Sequence, residues 1–343
     1  MTRLRTSMDH DMTKTRYEEK MERIRAGRYA KGDFILADAK DADLSGGILT
    51  TGRRRSADGS IVGNRTRAEF LAEIEALVKQ DVVDIMLAST SNMETLQARG
   101  VFSRSRIMPA FRANDTTDVW GVVRGGDYRA TPSLPYSGTD LTRAKADLCL
   151  YSMTFNNNAA ADVATLEAYR DFRPRARAAG KKHFLEVFNP NMPTGFDAAE
   201  TGMYVNDCIA RALAALTADE RPEFLKVAYN GPAALEELVA HDGSVVVGVL
   251  GGGTGTHRDT FELVWQAEKY GARLALFGRK INMAEHQPSF IRWMRAVADG
   301  SATPVEAIRG YHGDLAKLGL VADRCVDDDL LITEEVLMAA AAR

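Results

Sequence analysis

Residues 224–278 decide the fold. They read FLKVA (224–228), YNG, PAALEELVAH (232–241), VVVGVL (245–250) and GGGTGTHRD (251–259), then an amphipathic stretch to Tyr270, Gly271 and LALF (274–277), closing on Gly278. Three short apolar runs alternate with two helix-period segments, Pro232–His241 and Asp259–Tyr270. Short runs rich in Val, Leu and Phe are the pattern of parallel strands buried on both faces. Gly271, between the end of a helix segment and the next strand, suits a left-handed C-cap, and Gly180 recurs in the same position upstream.

The same rhythm extends toward the N-terminus. Five further strands are predicted at Phe34–Ala37, Val82–Leu87, Ile107–Phe111, Leu148–Tyr151 and His183–Phe188, with the clearest helices between them at Arg67–Lys79 and Ala160–Ala179. In six of the eight units the strand is followed by Gly, Asn, Asp, Thr or Ser, as in DAKDADLSGG, STSN and RANDTTD. That is the composition of the βα loops at the catalytic face of a barrel. The pattern therefore predicts an α/β chain forming one (β/α)8 TIM-barrel domain, with a doubly wound open sheet as the competing architecture. The barrel spans about residues 33–298. A helical arm precedes it (1–32, with a helix at Arg16–Arg25 able to cover the barrel bottom). A helical extension follows (299–343, with helices at Pro304–Ala316 and Glu334–Arg343).

Lys226 carries the most chemical information. A lysine inside an apolar strand is costly unless it is paired or loses its proton. Desolvation lowers a lysine pKa, and a neutral amine can attack a carbonyl to form a Schiff base, whose iminium then acts as an electron sink. The alternative is a structural lysine paired to Glu186 or to a barrel aspartate. Glu186 points into the barrel if Leu185 and Val187 point out, by the period of two, so it is a candidate for proton transfer or for holding the amine. Glycine-rich segments follow the seventh strand (Gly251–Thr256) and the eighth (Gly278–Asn282). Glycine lets backbone N–H groups approach an anion, and this corner is the recurrent phosphate site of such barrels. Tight turns use the same residues. Arg279 would add a charge-assisted fork.

The runs LKVAYNGP, VVVGVLGGGTG and ALFGRKINMAEHQPSFIRWMRAVADGSATPVEAI resemble the last three strands of the class I (Schiff-base) aldolase superfamily, which includes archaeal-type fructose-bisphosphate, tagatose-bisphosphate and deoxyribose-phosphate aldolases. The resemblance implies that Lys226 is the Schiff-base nucleophile. It implies that Gly252, Gly253, Gly278 and Arg279 bind phosphate, with Lys280 where the family commonly has Asn. Tyr151 is the phenol that the resemblance would place near the substrate carbonyl, unless it is an ordinary core tyrosine. The first strand carries ILADAKD in place of a family pattern of ILA with Asp-His-Gly. Asp38 is therefore a candidate acid/base group, Lys40 a candidate phosphate ligand, and Asp41 a further site candidate. Strand seven lacks the second lysine of the deoxyribose-phosphate type, which favours a keto substrate. The resemblance also implies a homo-oligomer.

The remaining features narrow the chemistry. Arg112, close to the end of the third strand, is a candidate anion ligand, whereas the Arg53-Arg54-Arg55 run suits a solvated loop. None of the six histidines forms an HxH or HxxxH pair, so no metal is expected, and no GxGxxG fingerprint follows an early strand, so no cofactor is expected either. Cys149, Cys208 and Cys325 form no CxxC pair and suit structural thiols. With 44 basic against 47 acidic residues, the chain lacks the basic excess that nucleic-acid binding needs. It has no apolar run long enough for a membrane span and no secretory signal pattern. The expectation is a cytoplasmic carbon–carbon lyase acting on a phosphorylated ketose or sugar-acid phosphate. A sugar-phosphate isomerase or epimerase, a decarboxylase, or a non-catalytic sensor is the alternative.

Overall fold

The computed structural model describes residues 14–56, 59–253 and 255–341. The rest of the expected arm (residues 1–13), Thr254 in the glycine-rich run and the last two residues of the expected terminal helix lie outside the described residues. Eight parallel strands close into a barrel: β1 (Ile35–Lys40), β2 (Ile85–Ala88), β3 (Met108–Arg112), β4 (Leu148–Thr154), β5 (Lys182–Phe188), β6 (Leu225–Val227), β7 (Val247–Leu250) and β8 (Leu274–Phe277). Each pairs with its neighbours in sequence and β8 closes on β1, with Ile35 opposite Leu274. The open sheet is thereby excluded.

Side-chain direction alternates along every strand, and the alternation builds two cores. Ile35, Ala37, Ile85, Leu87, Ala110, Leu148, Leu150, Phe184, Phe224 and Leu274 fill the lumen. Leu36, Met86, Phe111, Cys149, Tyr151, Leu185, Val227 and Phe277 point outward and pack beneath the helices. Strands buried on both faces carry apolar residues at both parities, which is why their sequences read as continuous runs.

The surrounding helices include α1 (Arg16–Arg25), α2 (Arg67–Gln80), α3 (Thr90–Ala98), α4 (Ala159–Ala178), α5 (Ala198–Ala214), α6 (Pro232–His241), α7 (His257–Lys269), α8 (Gln287–Ala298), α9 (Pro304–Lys317) and α10 (Glu335–Ala341). Gly180 and Gly271 terminate α4 and α7 at φ 67° and 101°, a region where only glycine is unstrained. Helix α1 plugs the N-terminal end of the barrel, as expected. Tyr17 meets Phe224 edge-on at 6.0 Å, and Lys20 and Arg16 reach Asp84 at 2.9 Å each. Arg295 from α8 adds a third cation at 3.1 Å. No helix among the described residues is long and apolar enough to cross a membrane.

Candidate active site

The inward positions near the C-terminal ends of β3 to β6 carry polar groups, whereas those of β7, β8, β1 and β2 stay apolar. Strand register sets the polar arc: Ser152 on β4 lies opposite Glu186 on β5, and Glu186 lies opposite Lys226 on β6. Lys226 Nζ sits 2.5 Å from Glu186 Oε1. The other Glu186 oxygen accepts from Ser152 Oγ at 2.7 Å, and Ser152 Oγ in turn accepts from Arg112 Nη2 at 3.2 Å. Lys226 is 6 % exposed and Glu186 2 %, so this pair is shielded from bulk solvent.

Arg112 ends the arc. Its guanidinium faces Asp41 at 2.9 Å and Asp115 at 3.0 Å, and Asp115 is held by Trp120 Nε1 at 2.9 Å. Burial works against the Arg112 charge, but Asp41, Asp115 and Glu186 outweigh it and hold the guanidinium above its usual pKa. With its charge balanced internally, Arg112 is suited to fixing Asp41 and Ser152 more than to capturing a substrate anion.

These groups face a cavity of about 460 Å³ at the C-terminal mouth, lined by Asp41, Arg112, Asp118, Glu186, Lys226, Gly278 and Arg279 among others. On β7 the position beside Lys226 is Gly248. A Cβ there would meet Leu274 Cγ at 2.3 Å, so Leu274 fills the space that a side chain at this position would need. An adjoining pocket of about 390 Å³ shares Thr50 and Arg279 with the first and adds Gly253, Gly255, Lys280, Arg53 and Arg324. It brings four cations, Arg53, Arg279, Lys280 and Arg324, together with one carboxylate, Asp323. Gly278 is required by close approach, because a Cβ would lie 2.5 Å from the Ala39 carbonyl oxygen. Arg53 does not stand free in a solvated loop: it and Arg55 clasp Asp323 at 3.0 and 2.6 Å. Among the described residues no group of three or more His, Cys, Asp and Glu side chains is placed to hold a metal ion.

Three expected site residues lie elsewhere. Tyr151 points outward from β4 and packs on Tyr169 and Phe172 of α4, with ring centroids 5.1 and 4.3 Å away. Its phenol is turned from Lys226, and burial pushes its pKa up. Asp38 and Lys40 share the outward parity of β1. Lys40 is fully buried and bonds Asn282 and Gln287, the latter at 2.8 Å, with Asp38 3.2 Å away. This network lies behind the barrel wall, where it pins the short helix Arg279–Met283 that displays Arg279. Burial raises the Asp38 carboxyl to about 6 against the pull of Lys40. Asp41, just past the strand end, takes the position in the mouth that Asp38 was expected to hold.

Ser152 and Asp118 went unread in the sequence. On β4 the parity could not be told from hydropathy, since Leu148–Thr154 is buried throughout. Asp118 sits in the long loop after β3, where it accepts from Ser133 Oγ at 2.6 Å; nothing in its local sequence distinguishes it from a solvated loop carboxylate.

No family model matches the chain, and no curated protein matches it in sequence. Solved structures do. An archaeal fructose-1,6-bisphosphate aldolase, determined with its catalytic lysine covalently bound to the carbinolamine intermediate of the substrate, aligns over 83 % of this chain and 100 % of its own at 15 % identity, with a TM-score of 0.56. A fructose-bisphosphate aldolase from Slackia heliotrinireducens covers 94 % of this chain and 93 % of its own at 13 % identity (TM-score 0.59). A protein from Corynebacterium glutamicum covers 83 % and 98 % at 17 % identity (TM-score 0.58). At these identities the likeness is one of fold: the chain has the barrel seen in these two fructose-bisphosphate aldolases and in the Corynebacterium protein.

Proposed function

We propose that the chain is a metal-independent Schiff-base aldolase, a carbon–carbon lyase acting on a phosphorylated ketose or related sugar-acid phosphate. One observation carries the reading: Lys226, the lysine that lines the mouth cavity among the described residues, is buried with its amine 2.5 Å from a carboxylate that can take its proton. The fold shared with aldolases of the Schiff-base class supports it as analogy.

In this reading Glu186 accepts a proton from Lys226, and the free amine adds to the substrate ketone. The carbinolamine loses water, with Glu186 and Ser152 relaying the protons, to give an iminium. The bond between the α and β carbons then breaks. Its electron pair moves into the iminium to form an enamine, while the β-hydroxyl gives its proton to a carboxylate at the mouth and leaves as the aldehyde. Asp41 and Asp118 both line the cavity and are the candidates for that base. Protonation of the enamine at carbon and hydrolysis of the iminium release the ketone and return Lys226. The phosphate is taken up in the adjoining corner, lined by Arg279, Gly253 and Lys280 with Arg53 and Arg324 nearby; Gly278 stands beside it in the mouth cavity, whereas the Gly252 N–H is taken by the Leu250 carbonyl at 3.0 Å. The same reading takes the chain as a cytoplasmic homo-oligomer whose substrate is a small phosphorylated molecule rather than a nucleic acid or a membrane.

A panel of keto-phosphates, assayed for aldehyde release with the wild-type chain and with Lys226→Met, tests the reading. Cleavage of at least one member that falls by about 10³-fold or more in the variant is expected, since removal of a covalent nucleophile costs that order of rate. Full lyase activity in the variant would make the lysine structural.

A further inference from the structure

The Gly252–Gly253 edge already has a carboxylate against it. Glu334, from the C-terminal extension, lies so close that a Cβ built on Gly252 would meet its Oε2 at 2.8 Å, and one built on Gly253 would meet its Oε1 at 3.3 Å. Lys280 Nζ stands 3.8 Å from the same Oε1, too far for a hydrogen bond. That oxygen is shut off from solvent and accepts no hydrogen bond among the described residues. A buried acceptor without a donor is unfavourable and asks for an explanation.

The explanation is not local packing of the carboxylate, because the neighbouring backbone does the fastening. Asp259, in the first turn of α7, accepts from Thr333 N at 2.7 Å, Thr333 Oγ1 at 2.6 Å and Glu334 N at 3.2 Å. Thr256 Oγ1 donates to the Leu331 carbonyl at 2.6 Å, and Gln266 Nε2 to the Leu337 carbonyl at 2.9 Å. The chain on both sides of Glu334 is thus strapped to α7, and its carboxylate reaches the glycine edge with Oε1 accepting no hydrogen bond among the described residues.

We propose that Glu334 is a specificity-determining residue: an internal carboxylate that competes with the substrate's phosphate for Lys280 on the Gly253 side of the adjoining pocket. This rests on the phosphate-binding reading of the pocket given above. Two anions sharing Lys280 would stand within about 4 Å of each other, a separation at which like charges repel appreciably even when screened. Removing the Glu334 charge leaves Lys280 facing the phosphate alone and tightens its binding by about ten-fold.

Calorimetric titration of the full chain with inorganic phosphate, at fixed pH and ionic strength, tests this with wild type, Glu334→Gln, Glu334→Ala and Arg279→Ala. Glutamine keeps the shape of the strap and its backbone bonds, and alanine checks that the effect follows the charge and not the new amide. The expected order is both Glu334 variants tightest, wild type about ten-fold weaker and Arg279→Ala weaker still. Phosphate affinity in the Glu334 variants equal to or below wild type, with Arg279→Ala still weaker, would overturn the role of Glu334 and leave the phosphate pocket standing. Absence of phosphate binding in all four proteins would overturn both.

Discussion

The Lys226–Glu186 pair can be tested as a physical object before any substrate is known. The perturbation is a double-mutant cycle of Glu186→Gln, Lys226→Met and the combination. Both side chains are nearly sealed from solvent and 2.5 Å apart, a setting in which removing one partner of an ion pair costs about 3–5 kcal/mol through the charge left behind. One feature of the structure pulls the numbers down: in Lys226→Met, Glu186 keeps the Ser152 hydrogen bond at 2.7 Å. Lys226→Met should therefore lose about 2–4 kcal/mol and Glu186→Gln about 3–5 kcal/mol. The double variant buries no charge at either position, and such replacements are often neutral, so it should be no less stable than the singles. That leaves a coupling energy of about 2 kcal/mol or more. Urea unfolding followed by circular dichroism and tryptophan fluorescence gives the four stabilities, provided the two probes report coincident transitions. Losses that add to within about 0.5 kcal/mol would mean the residues do not interact, and the proton-transfer pair would fall with them.

Other consequences follow from side-chain direction and burial. Tyr151→Phe, on the outer face of β4, should leave any lyase activity within about two-fold, while Ser152→Ala on the inner face should lower turnover by about 10²-fold, the lower end of what a positioned proton-transfer group contributes; steady-state assays that reverse this order would put the wrong residue in the cavity. At the barrel bottom, Asp84→Ala strips Arg16, Lys20 and Arg295 of their shared carboxylate and should cost about 3–5 kcal/mol, readable as a lower urea midpoint; a midpoint close to wild type would mean the plug does not depend on this cluster. Asp38 yields a pH signature. Burial raises its carboxyl from 3.8 to about 6, so the folded state holds a proton that the unfolded chain gives up. The stability this contributes is complete below about pH 4 and lost as pH rises through 6, a swing of about 3 kcal/mol for two pKa units. The stability difference between Asp38→Asn and wild type should move by that amount in favour of the variant between pH 4 and 7, and a flat difference would contradict the raised carboxyl.

Eight apolar runs separated by helix-period segments left a barrel and an open sheet, and the Gly, Asn, Asp, Thr and Ser residues after six of the strands favoured the barrel; strand positions deviated mainly at their ends, as with Leu148–Thr154 running three residues beyond the expected Tyr151. Lys226 and Glu186 stood out for a different reason: each is a charged residue inside an apolar strand, where a charge needs a partner or a task. The period of two relates positions to one another but does not say which parity faces the lumen when both are apolar, and Asp38 and Lys40 met the same criterion on the outward parity. Tyr151 was taken for the inward residue of β4 when Ser152 is, and Asp38 and Lys40 were taken for the mouth when their parity turns them toward α2 and α8. Glu334 could not be read at all, because its meaning depends on a strap fastened by Asp259 from a distant part of the chain. Strand faces are local properties; loop convergence at the mouth is not.

Reductive trapping decides whether Lys226 forms an imine with a ketone. The chain is incubated with a keto-phosphate that it cleaves, or with dihydroxyacetone phosphate, and sodium borohydride is added to reduce any imine to a stable secondary amine, after which peptide mass spectrometry locates the modification. The account predicts a reduced adduct on Lys226, absent in Lys226→Met and dependent on the ketone. No adduct on Lys226 across the keto-phosphate panel, or an adduct on another lysine that persists in Lys226→Met, would contradict it.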